Sequence, residues 1–265
     1  MSYRNGESSV ESQSSPSSAR RALRSSIVRA AGLDAARLDA MWDLFRTYYT
    51  DVSRDVFERD LMAKDHVILL RSSEDGSVQG FSTITTFERE VRGRRVVGVF
   101  SGDTIVARQF WRQTALQRAF LSYVIKVKLK NPHRPVYWFL ISKGFRTYLL
   151  MARNFPEHWP RHDKPTPPWQ AAVIDDFARL RFADAWKPEQ GILHFDHPAG
   201  RLRQNMAPID DRARALPEVR FFEEKNPHHA EGDELCCIGK VDGRLWVSYM
   251  TKLGRRFFGK QLGKR

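Results

Sequence analysis

Residues 66–102 read HVILLRSSEDGSVQGFSTITTFEREVRGRRVVGVFSG. Three stretches within them, 66–73, 78–87 and 94–102, are rich in Val, Ile, Thr and Phe. β-Branched and aromatic side chains in alternation fit a pleated, half-buried surface. Asp75-Gly76 and Arg92-Gly93 separate the stretches, and short glycine-containing loops of this kind reverse a chain between neighbouring strands. The segment predicts an antiparallel meander of three strands.

On its N-terminal side, Leu38, Met41, Trp42, Phe45 and Tyr49 recur at helical spacing after Asp34, a good N-cap. Ser53 caps a second expected helix through Val56, Phe57 and Leu61. Residues 23–31, LRSSIVRAA, read as the start of a short helix, and the Ser-rich residues 1–22 as a disordered basic segment. On the C-terminal side, Leu116, Phe120, Tyr123, Val124 and Val127 share one face of a helix within 111–130, ended by Asn131-Pro132. PVYWFLI (135–141) is an unbroken apolar run, as in a strand buried on both faces. A turn at Ser142-Lys143-Gly144 leads into a helix over 145–155, stopped by Pro156.

Beyond it, five prolines make 156–168 irregular, 169–186 is helical in pattern and 187–217 has little period. Residues 218–224 and 234–250 read as two last strands, with Asp242-Gly243 as a turn in the second region. The expected class is α/β, a mixed, mostly antiparallel sheet flanked by helices. The expected organisation is a segment 1–22, one domain over 23–250 with an insertion at about 156–217, and a basic tail 251–265.

A chain of 265 residues, 42% of them hydrophobic, can bury a real core. No apolar run approaches the ~18 residues that span a bilayer, and the first residues lack the apolar region of a secretory signal. The only cysteines, Cys236 and Cys237, are adjacent. Neighbours in a strand point to opposite faces and pair poorly as a disulfide, so a reducing cytoplasm is expected. Net charge is +13, but residues 1–30 carry +3 and 252–265 carry +6, leaving +4 for the body. Basic ends attract polyanions or simply solubilise. The tail interleaves Leu and Phe with Lys and Arg, which suits an anionic membrane surface, an acidic carrier protein or plain fraying. No nucleic-acid motif accompanies the charge, so nucleic acid is not an expected partner.

The order helix, helix, three-strand meander, helix, buried strand, helix over residues 34–155 resembles the GNAT (acyl-CoA N-acyltransferase) fold. LLMARNFPEHW (149–159) is similar to that family's helix-to-strand segment. The resemblance implies acyl transfer from a thioester, acyl-CoA or acyl carrier protein, to an amine or hydroxyl. The thioester would be a co-substrate, with no tightly bound cofactor and no metal. It also implies a place for the thioester, between the fourth strand and the strand over 135–141, where this sheet splays. The family holds the coenzyme's pyrophosphate in a glycine-containing loop at a helix N-terminus, where backbone N–H groups approach closely. Here the matching stretch IVARQFWRQTAL (105–116) has no glycine. Arg112 and Thr114 stand where small residues belong, and Arg108, Gln109, Arg112 and Thr114 become the candidate donor-binding residues, the arginines acting by charge. Branches of the fold that use carrier proteins depart from this loop too. Leu150 stands where the family often has a tyrosine that protonates the leaving thiolate, and Asn154 replaces the usual glycine before Phe155.

Four residues are candidates for catalysis. Asp103, just past the strand over 94–102 that matches the family's fourth, could deprotonate an amine or simply form an Asx turn. Ser142 and Lys143 follow the buried strand, where open α/β sheets place ligands; the alternative is a helix cap and a solvated lysine. Tyr148 could replace the missing acid or belong to the core. Trp111, Tyr137, Trp138, Phe139 and Trp159 could line an acyl pocket or serve as core. His158 and His162 flank Pro160, so they do not share a helical metal face. Cys237 reads as a buried structural thiol. Loss of transfer, leaving a thioester hydrolase, a lyase or a binding protein, is the competing outcome.

Overall fold

A computed structural model describes residues 22–111, 113–196, 201–202, 209–245 and 247. The basic tail and the N-terminal segment of the sequence reading lie almost wholly outside them.

Six strands form the body of one sheet. They are β1 (Leu23–Arg29), β2 (His66–Ser72), β3 (Val78–Val91), β4 (Arg94–Val106), β5 (Val136–Ser142) and β6 (Glu234–Lys240), side by side in that order. All neighbours are antiparallel except β4 and β5, which run parallel. The two-residue strands Ile192–Leu193 and Trp186–Lys187 extend the sheet beyond β6. Six helices matter for the site: α1 (Ala35–Tyr48), α2 (Arg54–Met62), α3 (Ala115–Lys130), α4 (Phe145–Asn154), α5 (Pro168–Phe182) and α6 (Pro217–Lys225). The mixed α/β class and, over residues 34–155, the order of elements are those read from the sequence.

Several expected devices are present. The Asp34 carboxylate accepts from Arg37 N–H at 2.8 Å and caps α1. Arg92 and Gly93 both adopt left-handed backbone (φ 46° and 75°), matching the tight turn between β3 and β4. Cys236 and Cys237 are free and pack into cores on opposite faces. Burial pushes the Cys237 thiol far up, as for an inert structural cysteine.

Three expectations are corrected. Residues 23–29 are strand β1, paired with β2 along their whole length from Leu23↔Ser72 to Arg29↔His66. Serines and β-branched residues are weak helix formers, and the open edge of β2 offers a full ladder. Residues 218–224 belong to helix α6, with Pro217 in its first turn and Val219 and Phe222 buried one turn apart. The run Val-Arg-Phe-Phe imitates a strand, but its apolar pair has helical spacing. Among the described residues β6 is followed by no partner strand. Leu245 N–H donates to Asp242 C=O in a helical turn, and Ile192–Leu193, from the irregular stretch, supplies the outer strand.

The sheet separates two cores. Below it, α3, α4 and α6 cover Ile68, Ile84, Val99, Trp138 and Leu140. Above it, α1 and α2 cover Val67, Leu69 and Phe81, while α5 covers Val96, Phe139 and Ile238. Strand β5 contributes to both sides, with Trp138 below and Tyr137 and Phe139 above, which explains its unbroken apolar sequence. Each fully buried aromatic here contributes about 1.5–3 kcal/mol. Among the described residues, no helix is long and apolar enough to cross a membrane.

Candidate active site

The parallel pair β4 and β5 is in register from Val97↔Val136 to Ser101↔Leu140, and there it stops. Past that level β4 stays with β3 as far as Val106, and β5 stays with β6 as far as Ser142. The facing edges therefore diverge, leaving backbone groups without a strand partner at the fork. At the last paired level Trp138 Nε1 donates to Ser101 Oγ at 2.8 Å. Below the fork lies a cavity of about 90 Å³. Its walls are Leu116, Phe120 and Leu121 of α3, Leu150 of α4, Phe155 and Trp138. Gln117 also reaches it, with a buried Oε1 that makes no hydrogen bond.

A bulge sets the chemistry at the fork. Ile84 pairs with Ser101 and Ser82 with Thr104, so Thr83 alone faces Gly102 and Asp103. The extra residue breaks the strand's alternation and re-aims a side chain. Ser101 and Thr104 line the cavity below, and Asp103 joins a group of charges above the sheet. Glycine is required in the bulge. A Cβ on Gly102 would stand 2.5 Å from Thr83 Oγ1 and 3.3 Å from Lys64 Cε.

Asp103 is half-buried in the upper side of the sheet. Burial chiefly, with the nearby carboxylates Asp60 and Glu234, raises its pKa from 3.8 to about 6, against the opposing pull of Lys64 and Lys143. Lys64 is almost wholly buried and pairs with Asp60 Oδ1 at 2.6 Å. Lys143 Nζ lies 3.4 Å from Glu234 Oε1. Burial raises Glu234 as well, and Lys143 opposes that. Tyr49 completes the group, its phenol pushed up by burial and then by Asp103 and Glu234.

Of the residues singled out in the sequence, Asp103 and Lys143 thus come together. Glu234 and Lys64 were missed. Glu234 opens β6 one position before Leu235, which pairs with Ser142, so aligning GDELCCIG against PVYWFLISK would have placed it beside Lys143. Lys64 follows α2 without a sequence signature.

The remaining candidates have other surroundings. Ser142 is fully buried, and its hydroxyl donates to Gly144 C=O at 2.9 Å. It is neither a free nucleophile nor the cap of α4, whose N-cap is Gly144. Tyr148 is fully buried against Phe221 and Phe222 and donates to Pro160 C=O at 3.2 Å. Burial pushes its phenol far up, and its surroundings are those of a core residue. Gln109 is exposed and bonds Gln79 at 3.1 Å, and Thr114 precedes α3 without a side-chain cap bond. Arg112 lies outside the described residues. Backbone N–H groups in this loop already have partners: Arg108 donates to Tyr48 Oη, Phe110 to Ala107 C=O and Gln113 to Phe110 C=O. Arg108 and Arg146 both stand over the half-exposed Trp111 ring, at 6.0 and 5.5 Å. Among the described residues no group of three His, Cys, Asp or Glu could hold a metal ion.

No protein-family model matches the sequence, and no curated protein matches it. Solved structures do. A GCN5-related N-acetyltransferase from Kribbella flavida is similar over 52% of this chain and 34% of its own, at 17% identity and a TM-score of 0.38. Escherichia coli ElaA is similar over 56% of this chain and 95% of its own, at 14% identity and 0.36. Saccharomyces cerevisiae N-myristoyltransferase with bound myristoyl-CoA is similar over 46% of this chain and 29% of its own, at 13% identity and 0.35. The chain thus spans about a third of the Kribbella enzyme's length.

Proposed function

We propose that this protein transfers an acyl group from a thioester to an amine or hydroxyl. The observation that supports the reading is the end of the β4–β5 pairing beside the β3–β4 bulge, with the apolar cavity lined by Ser101 and Thr104, the neighbours of the bulge residues Gly102 and Asp103. The pantetheine arm of the donor enters the cavity from below, where Gln117 Oε1 accepts from one of its amide N–H groups. Its carbonyl reaches the fork, and unpaired strand-edge N–H groups polarise it. The acceptor approaches from above. Asp103, ionised near neutral pH with a pKa of about 6, takes the acceptor's proton as the new bond to carbon forms. The tetrahedral intermediate then collapses, the C–S bond breaks and the thiolate leaves with its electron pair. Leu150 has no proton to give it, so solvent protonates the thiolate.

For the donor, the loop after β4 favours a carrier-protein thioester or a long acyl group over acetyl-CoA. Its occupied N–H groups make a poor diphosphate cradle, while Arg108, Trp111 and Arg146 offer a basic aromatic rim. The test is thiol release by purified protein from acyl-CoA and acyl-carrier thioesters, with and without an acceptor. Acceptor-dependent release, lost in Asp103→Asn, is expected; its absence with every donor sinks the reading. The missing acid at Leu150 favours a second reading, thioester binding without transfer. A raised melting temperature with donor, and no thiol, would support that instead.

A further inference from the structure

The upper face of the sheet is apolar beneath the helices and polar between them. Along β3, Phe81, Thr83, Thr85 and Phe87 share one side by alternation. Phe81 packs under α1 and α2, and Phe87 under α5. The two threonines in between carry buried hydroxyls without hydrogen-bond partners among the described residues. Arg181, in the last turn of α5, leans over the same strip. Its guanidinium carbon lies 4.5 Å from the ring centre of Phe100, the residue paired with Thr85.

Arg181 is unlike the other arginines at this helix. Arg89 holds Asp176 and Arg179 holds Asp175, each through a charge-assisted hydrogen bond. Arg181 Nε is buried with no partner among the described residues, and no carboxylate there forms an ion pair with it. Asp60 and Asp65 act on it from farther away. The side chain as a whole is half-buried, and a guanidinium pre-placed on an aromatic face with no counter-ion suits the bidentate grip of a carboxylate. The path from it to the reaction centre is short. Phe100 lies between Arg181 and Gly102, whose Cβ position is 3.5 Å from that ring, and Asp103 follows. Asp60 is a charged neighbour of both Asp103 and Arg181.

We propose that Arg181 anchors the acceptor, which is a small amine bearing a carboxylate at its far end. This rests on the acyl-transfer reading and names its substrate class. The nitrogen sits among the acidic groups Asp60, Asp103 and Glu234, and the carboxylate sits on Arg181. Two residues along a strand set the spacing between the two ends at about 7 Å.

The test compares 6-aminohexanoate, which has that span, with its uncharged amide, 6-aminohexanamide. Both are assayed as acceptors by thiol release from octanoyl-CoA and an octanoyl carrier thioester. Both are also titrated calorimetrically into the full chain without donor. The acid is expected to exceed the amide at least about tenfold in kcat/KM and in affinity. Arg181→Gln should reduce that ratio to near one, and Arg181→Lys, which keeps the charge and the fold but not the fork, should leave an intermediate ratio. Equal binding of acid and amide by the wild type, or a ratio that survives Arg181→Gln, overturns the proposal. If no acceptor yields thiol, the transfer reading fails by itself, and the calorimetric ratio still decides the anchor.

Discussion

Replacing Asp103 by Asn should make the protein more stable and nearly inactive. The carboxylate's pKa rises from 3.8 to about 6 mainly because burial penalises its charged form. The folded state therefore binds this proton more readily than the unfolded chain does. Above pH 6 the ionised group opposes folding, and that cost fades as the pH falls from 6 toward 4. At about 1.4 kcal/mol per tenfold change, the interval bounds the cost near 3 kcal/mol. Solvent access to the half-buried carboxylate brings a realistic figure to about 1–2 kcal/mol. For a domain of this size Asp103→Asn should then melt about 2–6 °C higher at pH 7.5, with the gain vanishing near pH 4. Loss of a general base should lower kcat/KM about 10²–10⁴-fold. In the wild type, kcat/KM should fall about tenfold per pH unit below 6. Calorimetric melting at both pH values and a thiol-release pH profile make the measurement. A variant that melts lower at pH 7.5 would mean that the ionised carboxylate is held by net favourable contacts. Turnover within about threefold of wild type would remove Asp103 as the base.

Other perturbations separate the roles assigned at the fork. Ser142→Ala removes a buried donor to Gly144 C=O; it should cost about 1–2 kcal/mol in chemical denaturation and leave thiol release within about twofold. Gly102→Ala forces a methyl against Thr83 Oγ1, so a stability loss of about 1–3 kcal/mol is expected, with turnover reduced as the bulge shifts. Unchanged turnover would show that the bulge does not place the base. Lys143→Met removes a cation that lowers the Asp103 pKa and strips Glu234 of its partner. The acid limb of the pH profile should move upward, and stability should drop by about 2 kcal/mol; a limb that stays in place would uncouple Lys143 from the base.

The meander and the buried strand were legible because their patterns are local. Alternation in VQGFSTITTF and the unbroken PVYWFLI each report one environment, half-buried or fully buried. Strand β1 was not legible, because its pairing depends on an edge of β2 lying about forty residues away in the chain. Helix α6 was misread since Val219 and Phe222, one helical turn apart, also fit a short apolar strand. Of the site, Asp103 and Lys143 could be found because each follows an apolar run, 94–102 and 135–141, although the strand holding Asp103 continues to Val106. Glu234 required the β5–β6 register, and Arg181 required knowing that α5 crosses above Phe100. Tyr148 misled for the opposite reason: its position one turn into a helix after the turn says nothing about which face it takes, and α6 covers that face.

The two sides of the sheet offer opposite solvents, and the proposed transfer uses that contrast. Below it, an apolar cavity suits an uncharged acyl chain or pantetheine arm and excludes ions. Above it, Asp60, Lys64, Asp103, Lys143 and Glu234 hold one another in partial balance. A reacting carbonyl and a reacting amine favour different surroundings, and a closed parallel ladder would keep them apart. That ladder ends at Ser101 and Leu140, the level of the bulge that holds Asp103. Were the pairing to continue two residues further, Asp103 would keep its raised pKa and have no thioester to act upon. In the proposed reaction the termination of the strand pair, more than any single side chain, is therefore what would let the charged group meet the thioester.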